Sequence, residues 1–189
     1  MMRIITGKAK GIRLNTLEGE QTRPTAERVK EAVFSTLQFD IEGRRVLDLF
    51  AGSGQMGLEA LSRGAAEAVF VERSKAAVKI IESNIEKTRL APYCKIVTGD
   101  ALDYINKNRS DRFDIIFIDP PYASGLYIPV LTALTTSGIL KSNTLLVCES
   151  DFEQLIENES DLKQSYRVYK TSRYGKTVIT ILEVISDEN

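Results

Sequence analysis

The middle of the chain alternates short apolar runs with longer segments whose apolar residues recur every three or four positions. Short runs of this kind predict β-strands, and the longer segments predict amphipathic helices. This alternation predicts an α/β fold in which a mostly parallel sheet carries helices on both faces. Strands are predicted at 46–50, 68–72, 95–98, 113–119 and 144–148, and helices at 26–37, 54–63, 75–89 and 127–137.

The two ends of the chain follow other patterns. Residues 1–22 predict an extended segment with turns at its glycines, and Thr25 is a candidate N-cap for the first helix. Near the C-terminus, residues 167–172 and 177–184 predict a hairpin that adds two antiparallel strands. We therefore expect a doubly wound, seven-stranded, mostly parallel sheet that ends in an antiparallel hairpin.

Length and composition narrow the class of protein. The 189 residues fit a single domain over 1–189, in which 1–40 forms an N-terminal extension to the regular core. The chain has no apolar run of membrane-spanning length and no signal-peptide pattern, so we expect a cytoplasmic protein with no membrane partner. It has no histidine, and its two cysteines are far apart, which argues against a catalytic triad and against a bound metal.

Charge is balanced overall but unevenly distributed. The formal net charge is −1 at pH 7, which by itself does not indicate a nucleic-acid-binding protein. Lysines and arginines are nevertheless concentrated in residues 1–30 and 163–176. The two clusters predict one basic face, with ordinary solvated surface charge as the alternative interpretation.

A glycine-rich loop joins the first predicted strand of the core to the helix after it. Gly52, Gly54 and Gly57 follow the spacing G-x-G-x-x-G, and Glu72 ends the next strand, twenty residues after Gly52. Glycines at such a turn let a ligand approach the backbone, and a carboxylate at the next strand end can accept hydrogen bonds from ribose hydroxyls. The pattern predicts an adenosine-containing ligand, which fits both a dinucleotide and S-adenosylmethionine.

One residue favours S-adenosylmethionine as the cofactor. Asp48 lies four residues before the first glycine, where a carboxylate suits a cationic ligand better than an anionic pyrophosphate. Asp100 ends the third strand and is predicted to accept from the adenine amino group, to cap the following helix, or both. The predicted cofactor-binding residues are Asp48, Phe50, Gly52, Gly54, Glu72, Asp100 and Ala101.

The most specific signal in the chain is Asp119-Pro120-Pro121-Tyr122, directly after an apolar strand. The prolines stiffen this loop, so that the Asp119 carboxylate and the Pro120 carbonyl can accept the two hydrogens of a planar amino group. Tyr122 is predicted to stack on the base, which has to be unpaired or flipped out. Asp119, Pro120 and Tyr122 are therefore the predicted catalytic residues; a purely structural turn is the alternative.

Together with its flanks, this set of motifs resembles the RsmD family of class I, Rossmann-like methyltransferases. The flanking motifs are Arg23-Pro24-Thr25 and Arg173-Tyr174-Gly175-Lys176-Thr177, and the resemblance covers essentially the whole chain. It implies methylation of N2 of a guanine in 16S ribosomal RNA, within the small ribosomal subunit or its assembly intermediate. It also implies substrate contacts by Arg23, Thr25, Arg173 and Tyr174.

Other functions remain compatible with the motifs by themselves. The Asp-Pro-Pro-Tyr element does not distinguish guanine N2 from adenine N6 or cytosine N4, so the identity of the base depends on the family resemblance. An amino methyltransferase acting on DNA adenine or protein glutamine, a nicotinamide-dependent oxidoreductase and a non-catalytic RNA-binding module are the competing hypotheses. We expect the protein to be a monomer.

Overall fold

The structure is a computed structural model that describes residues 2–17, 24–121 and 124–185. Within these residues, seven strands form one sheet in the order β3–β2–β1–β4–β5–β7–β6. The strands are β1 (Arg45–Asp48), β2 (Glu67–Glu72), β3 (Cys94–Thr98), β4 (Phe113–Ile118), β5 (Leu140–Ser150), β6 (Tyr166–Tyr174) and β7 (Thr177–Val184). The helices are α1 (Pro24–Thr36), α2 (Gln55–Ser62), α3 (Lys75–Thr88), α4 (Ala101–Lys107), α5 (Tyr127–Ser137) and α6 (Ser160–Ser165), with one 3-10 turn at Ala91–Tyr93.

The strand directions place a crevice between β1 and β4. Strands β1 to β5 are all parallel to one another, whereas β7 pairs antiparallel with both β5 and β6. From β1 the chain moves outward through β2 and β3, and then returns to the other side of β1 as β4. Ligands of open α/β sheets bind at such a reversal, beyond the carboxyl ends of the strands. The predicted fold class is confirmed.

Side chains alternate between two buried faces of the sheet. Val46 of β1 and Phe117 of β4 belong to the first face, which α1, α2, α3 and the N-terminal segment cover. Leu47 and Ile116, one residue away in each strand, belong to the second face, which α4, α5 and α6 cover. Because both faces are buried, the strands contain nearly continuous apolar residues instead of an apolar–polar alternation.

A buried carboxylate fastens the N-terminal segment, residues 2–17, to α2. The Glu59 side chain is fully buried and accepts hydrogen bonds from the backbone N–H groups of Ile5 (2.8 Å) and Thr6 (3.0 Å). It also pairs with Arg63 at 2.8 Å and with Lys30 at 3.3 Å. Burial lowers the pKa of Lys30, and Glu59 opposes that shift. Lys30 therefore belongs to the interior, and its predicted place on a basic surface is wrong.

Several element boundaries differ from the predicted ones. Helix α1 begins at Pro24, so Thr25 lies in its first turn and is not the N-cap; proline fits this turn because its missing N–H would have no partner there. Strand β5 is longer than predicted because it includes the polar stretch Lys141–Asn143. Helix α6 was not predicted, because a helix of six residues is too short to produce a recognisable repeat of apolar positions in the sequence. In the described part of the chain, every helix is too short or too polar to cross a lipid bilayer.

Candidate active site

A cavity of about 700 Å³ opens at the carboxyl ends of β1, β2 and β4. Its volume lies within the range of small-molecule and cofactor sites, roughly 300–1,000 Å³. Most residues that the sequence predicts for the cofactor and for catalysis line this one space: Asp48, Phe50, Gly52, Glu72, Asp100, Ala101, Asp119 and Pro120. The structure therefore brings together residues that are up to 72 positions apart in the chain.

The glycine loop is held by the carboxylate that ends β2. The backbone N–H of Gly52 donates to one oxygen of Glu72 at 2.9 Å, and that of Ser74 donates to the other at 2.7 Å. Gly52 and Gly54 have φ angles of 52° and 77°, in the left-handed region that glycine adopts at least cost. Gly54 does not line the cavity; it packs against Phe70 and α3 beneath the loop. Each Glu72 oxygen keeps acceptor capacity for a ligand hydroxyl.

Asp48 is a buried acid in the wall of the cavity. Its side chain is 4 % exposed, and its Oδ2 atom has no hydrogen-bond partner among the described residues. Burial and the nearby charge of Glu72 raise its pKa to about 7, although backbone N–H groups of Gly57 and Phe50 act in the opposite direction. A cation placed in the cavity would favour the charged form of this carboxyl group.

Asp100 has the geometry of both predicted roles. It is the N-cap of α4, where its Oδ1 accepts from the backbone N–H of Leu102 at 2.9 Å. It also lines the cavity, next to Gly99 and Ala101. Because the hydrogen bonds of the cap use Oδ1, Oδ2 can accept from a ligand donor.

The Asp119-Pro120-Pro121 element lies where β4 ends, on the opposite side of the cavity from Glu72. Asp119 follows Ile118, the last residue of β4, and all three residues line the cavity. Tyr122, the fourth residue of the motif, lies outside the described residues. No group of three or more His, Cys, Asp and Glu side chains within 2–17, 24–121 and 124–185 is arranged to hold a metal ion.

Of the predicted substrate-binding residues, Arg173 and Tyr174 are described and do not line the cavity. Arg173 is in β6 opposite Val178 of β7, at the same edge of the sheet as the carboxyl end of β5, and it pairs with Glu153 at 2.6 Å. Tyr174 packs against the first-face core. Arg23 lies outside the described residues, and the side chain of Thr25 is not described.

Two parts of the cavity wall were not predicted from the sequence. Met2 and Leu17 from the N-terminal segment line the cavity, and the Ser53 hydroxyl of the glycine loop donates to the sulfur of Met2 at 3.3 Å. Glu149, near the end of β5, also lines it. Its signal is present in the sequence, because it is an acid at the carboxyl end of an apolar strand, as Asp119 is.

Comparison with known proteins extends this description. The family described as "Conserved hypothetical protein 95" matches residues 2–183. YlbH from Bacillus subtilis, to which an rRNA methyltransferase activity is ascribed, is 36 % identical over 183 residues, 95 % of this chain and 97 % of its own. Ribosomal RNA small subunit methyltransferase D from Haemophilus influenzae is 33 % identical over 180 residues, 89 % of this chain and 93 % of its own. The chain belongs to the RsmD family.

Solved structures agree with membership of the RsmD family. The structure of yhhF from Escherichia coli, to which a methyltransferase activity is ascribed, superposes with a TM-score of 0.84 at 29 % identity, covering 98 % of this chain and 99 % of its own. SMU.776, ascribed the same activity and solved with S-adenosylhomocysteine (SAH), shares the fold with a TM-score of 0.71 at 18 % identity; the match covers 82 % of this chain and 49 % of SMU.776. The predicted family and enzyme class, a methyltransferase, are confirmed.

Proposed function

We propose that this chain transfers the methyl group of S-adenosylmethionine to the exocyclic N2 amine of a guanine in 16S ribosomal RNA. The observation that carries the proposal is a single cavity with Asp48 and Glu72 on one side and Asp119 with Pro120 on the other. The name of the Haemophilus influenzae relative supports ribosomal RNA of the small subunit as the substrate.

The cofactor side of the cavity suits S-adenosylmethionine, which supplies an electrophilic methyl group on a sulfonium when bound. Glu72 accepts from the ribose hydroxyls while it continues to hold Gly52. Asp100 and Ala101 lie on the adenine side, and Phe50 and Gly52 border the space between. Asp48 lines the cavity and its Oδ2 lacks a hydrogen bond among the described residues, so its carboxylate suits a ligand with a cationic end. The SAH complex of SMU.776 supports this choice of cofactor.

On the substrate side, Asp119 and Pro120 orient the amine. The lone pair of a base amino group is delocalised into the ring, so the amine is a weak nucleophile that needs precise placement. The Asp119 carboxylate and the Pro120 carbonyl accept its two hydrogens and turn the nitrogen toward the methyl group. As the N–C bond forms, positive charge grows on nitrogen, and Asp119 stabilises that charge. After methylation the nitrogen has become acidic, and its proton passes to solvent, directly or by way of the Asp119 carboxylate.

The RNA approaches from the end of the sheet at which the carboxyl ends of β4 and β5 lie. Arg173 at that end is available for a phosphate once it leaves Glu153, and contacts to phosphate make binding depend on salt. Stacking by Tyr122 and contacts by Arg23, Thr25 and Tyr174 remain predictions, as do a cytoplasmic location and a monomeric state. A base within a helix is inaccessible, so the target guanine is unpaired or flipped out.

The proposal is tested by methyl transfer from labelled S-adenosylmethionine to small subunits that lack the methyl mark, with naked 16S RNA in parallel. Digestion to nucleosides and mass spectrometry should identify N2-methylguanosine. We expect Asp119→Ala to lower kcat by at least about 100-fold, because it removes the group that stabilises the developing charge. SAH affinity, measured by calorimetry, should change less than twofold.

Asp161→Ala, which removes an exposed carboxylate on α6, is the matched control and should retain wild-type turnover. A different methylated nucleoside, or no transfer to RNA at all, would contradict the assigned substrate. Wild-type turnover by Asp119→Ala would contradict the assigned mechanism instead.

A further inference from the structure

Glu149 lies beside Asp119 at the carboxyl ends of two neighbouring strands, β5 and β4. Strands β4 and β5 are parallel, with Phe117 opposite Val147 and Ile118 opposite Cys148. One step further, the same register places residue 119 beside residue 149. Glu149, two positions after Val147 in β5, points to the first face as Val147 does, and Asp119 directly follows the end of β4. Both carboxylates line the cavity, about 5 Å apart at the backbone.

An apolar surface lies next to these two carboxylates. Phe117, Val147 and Ile179 line the cavity on the first face, on three adjacent strands. Ile179 of β7 pairs directly with Glu149 of β5. These three apolar side chains are only 2–4 % exposed, so they give the cavity a narrow apolar wall beside Asp119 and Glu149. This combination suits a nucleobase and would be unfavourable for a purely ionic ligand.

The end of β5 is held in position by α5. The Tyr127 hydroxyl donates to the backbone carbonyl of Glu149. The Tyr127 ring packs edge-to-face against the Phe152 ring, with 5.6 Å between the ring centroids. Ser150 donates to the carbonyl of Phe152 at 2.6 Å. These contacts fix the backbone that presents the Glu149 carboxylate, and a fixed acceptor discriminates between ligands better than a mobile one.

Among the bases that carry an exocyclic amine, guanine alone has a ring N–H beside that amine. Adenine N1 and cytosine N3, at the corresponding position, carry a lone pair. We propose that Glu149 accepts the N1–H of the target guanine and thereby selects guanine over adenine and cytosine. This inference rests on the proposed function, and it assigns the base selectivity that the Asp-Pro-Pro-Tyr element does not provide. A carboxylate opposite a ring lone pair leaves two acceptors unpaired, which disfavours the wrong base.

The test replaces the target guanine with 2-aminopurine in ligated 16S RNA, after the methylated guanine has been mapped with the wild-type enzyme. 2-Aminopurine keeps the N2 amine, but its N1 is an acceptor. We expect wild-type kcat/KM to fall by about 100-fold or more on the analogue. In Glu149→Gln, whose amide can donate to N1, this preference for guanine should shrink at least tenfold.

2-Aminopurine also lacks the C6 oxygen, and this loss affects the wild type and Glu149→Gln alike. Dividing the guanine preference of the wild type, measured as a ratio of kcat/KM values, by that of Glu149→Gln therefore isolates the contact at N1. SAH affinity should stay within twofold in Glu149→Gln, and Glu157→Gln, an exposed control, should keep the wild-type preference. Glu149→Asp retains a carboxylate and should keep the preference at a lower kcat/KM. If Glu149→Gln is poorly folded, Glu149→Asp still provides a test, because an active Asp variant without preference would refute the role.

An unchanged guanine preference in Glu149→Gln, with N2-methylguanosine still formed, would overturn this inference and leave the proposed function intact. Failure of the wild-type enzyme to form N2-methylguanosine on guanine-containing RNA would instead overturn the proposed function, and the inference with it.

Discussion

The buried side-chain amide of Asn84 connects three parts of the molecule, and we expect its loss to weaken both the fold and the cofactor site. Its Oδ1 accepts from the Asn15 N–H at 2.7 Å, and its Nδ2 donates to the carbonyls of Asn15 (3.0 Å) and Ser53 (2.9 Å). Asn84 lies in α3, Asn15 in the N-terminal segment and Ser53 in the glycine loop. Asn84→Leu has similar volume and removes all three hydrogen bonds.

The expected cost follows from the groups left behind. A buried backbone group that loses its partner costs about 1–3 kcal/mol. The Ser53 residue is buried, whereas Asn15 is half-buried and its two groups can partly turn to water. With about 1–2 kcal/mol for Ser53 and about 1–2 kcal/mol for Asn15, we expect the free energy of unfolding to fall by about 3 kcal/mol. That is a large share of the roughly 5–15 kcal/mol that stabilises a typical domain.

Urea unfolding followed by circular dichroism measures the change in stability, and calorimetric titration measures SAH affinity. We expect at least a tenfold weaker SAH affinity, because the glycine loop and the wall formed by Met2 and Leu17 lose their common anchor. Thr88→Val is the matched control on the same helix, since the Thr88 hydroxyl donates only within α3. It should cost about 1 kcal/mol and leave SAH affinity unchanged. If the two variants unfold at the same urea concentration and bind SAH equally, the anchoring role of Asn84 is refuted.

Three further predictions concern charge and packing. Burial raises the pKa of Asp48 to about 7, so its carboxyl becomes charged between about pH 6 and 8, and calorimetric S-adenosylmethionine affinity should rise over that range in the wild type but not in Asp48→Asn. A Cβ on Gly57 would lie 2.4 Å from the Phe70 ring, so Gly57→Ala should lower the free energy of unfolding by about 1–3 kcal/mol, and adding Phe70→Leu should restore part of it. Glu153→Ala frees Arg173 and should tighten RNA binding by about two- to fivefold in low-salt filter binding, with no difference at high salt.

The sequence predicted the core of the site because its residues follow strand ends. Asp48, Glu72, Asp100 and Asp119 each lie within two residues of the carboxyl end of a short apolar run. In a parallel sheet those ends share one edge, so the chain order of the runs is enough to bring the four side chains near one another. The position of an acid at a strand end, together with the parallel arrangement of the strands, is therefore enough to predict the grouping without any knowledge of interatomic distances.

The N-terminal part of the site could not be predicted in this way. Glu59 looks like an exposed charge on a short helix, and Lys30 looks like one of many surface lysines. Glu59 is held by contacts with Ile5 and Thr6, more than fifty residues away in the chain, and Lys30 pairs with Glu59. Met2 and Leu17 line the cavity, and the segment that carries them is held by hydrogen bonds to Glu59 and Asn84. Such long-range polar pairs leave no periodic signal in the sequence.

Several carboxylates line the cavity. In the proposed reaction, the position of each carboxylate decides whether it contributes to binding or to catalysis. The described residues that line it include five acids and one cation: Asp48, Glu72, Asp100, Asp119, Glu149 and Arg73. In the proposed reaction a positive charge is present before transfer, on sulfur, and after transfer, on the amine nitrogen. A field that stabilises both equally strengthens binding without lowering the barrier, because catalysis requires stronger interaction in the transition state. In the proposed reaction Asp119 lies next to the nitrogen that gains the charge and would meet that condition, whereas Asp48 and Glu72, assigned to the cofactor, would contribute chiefly to binding.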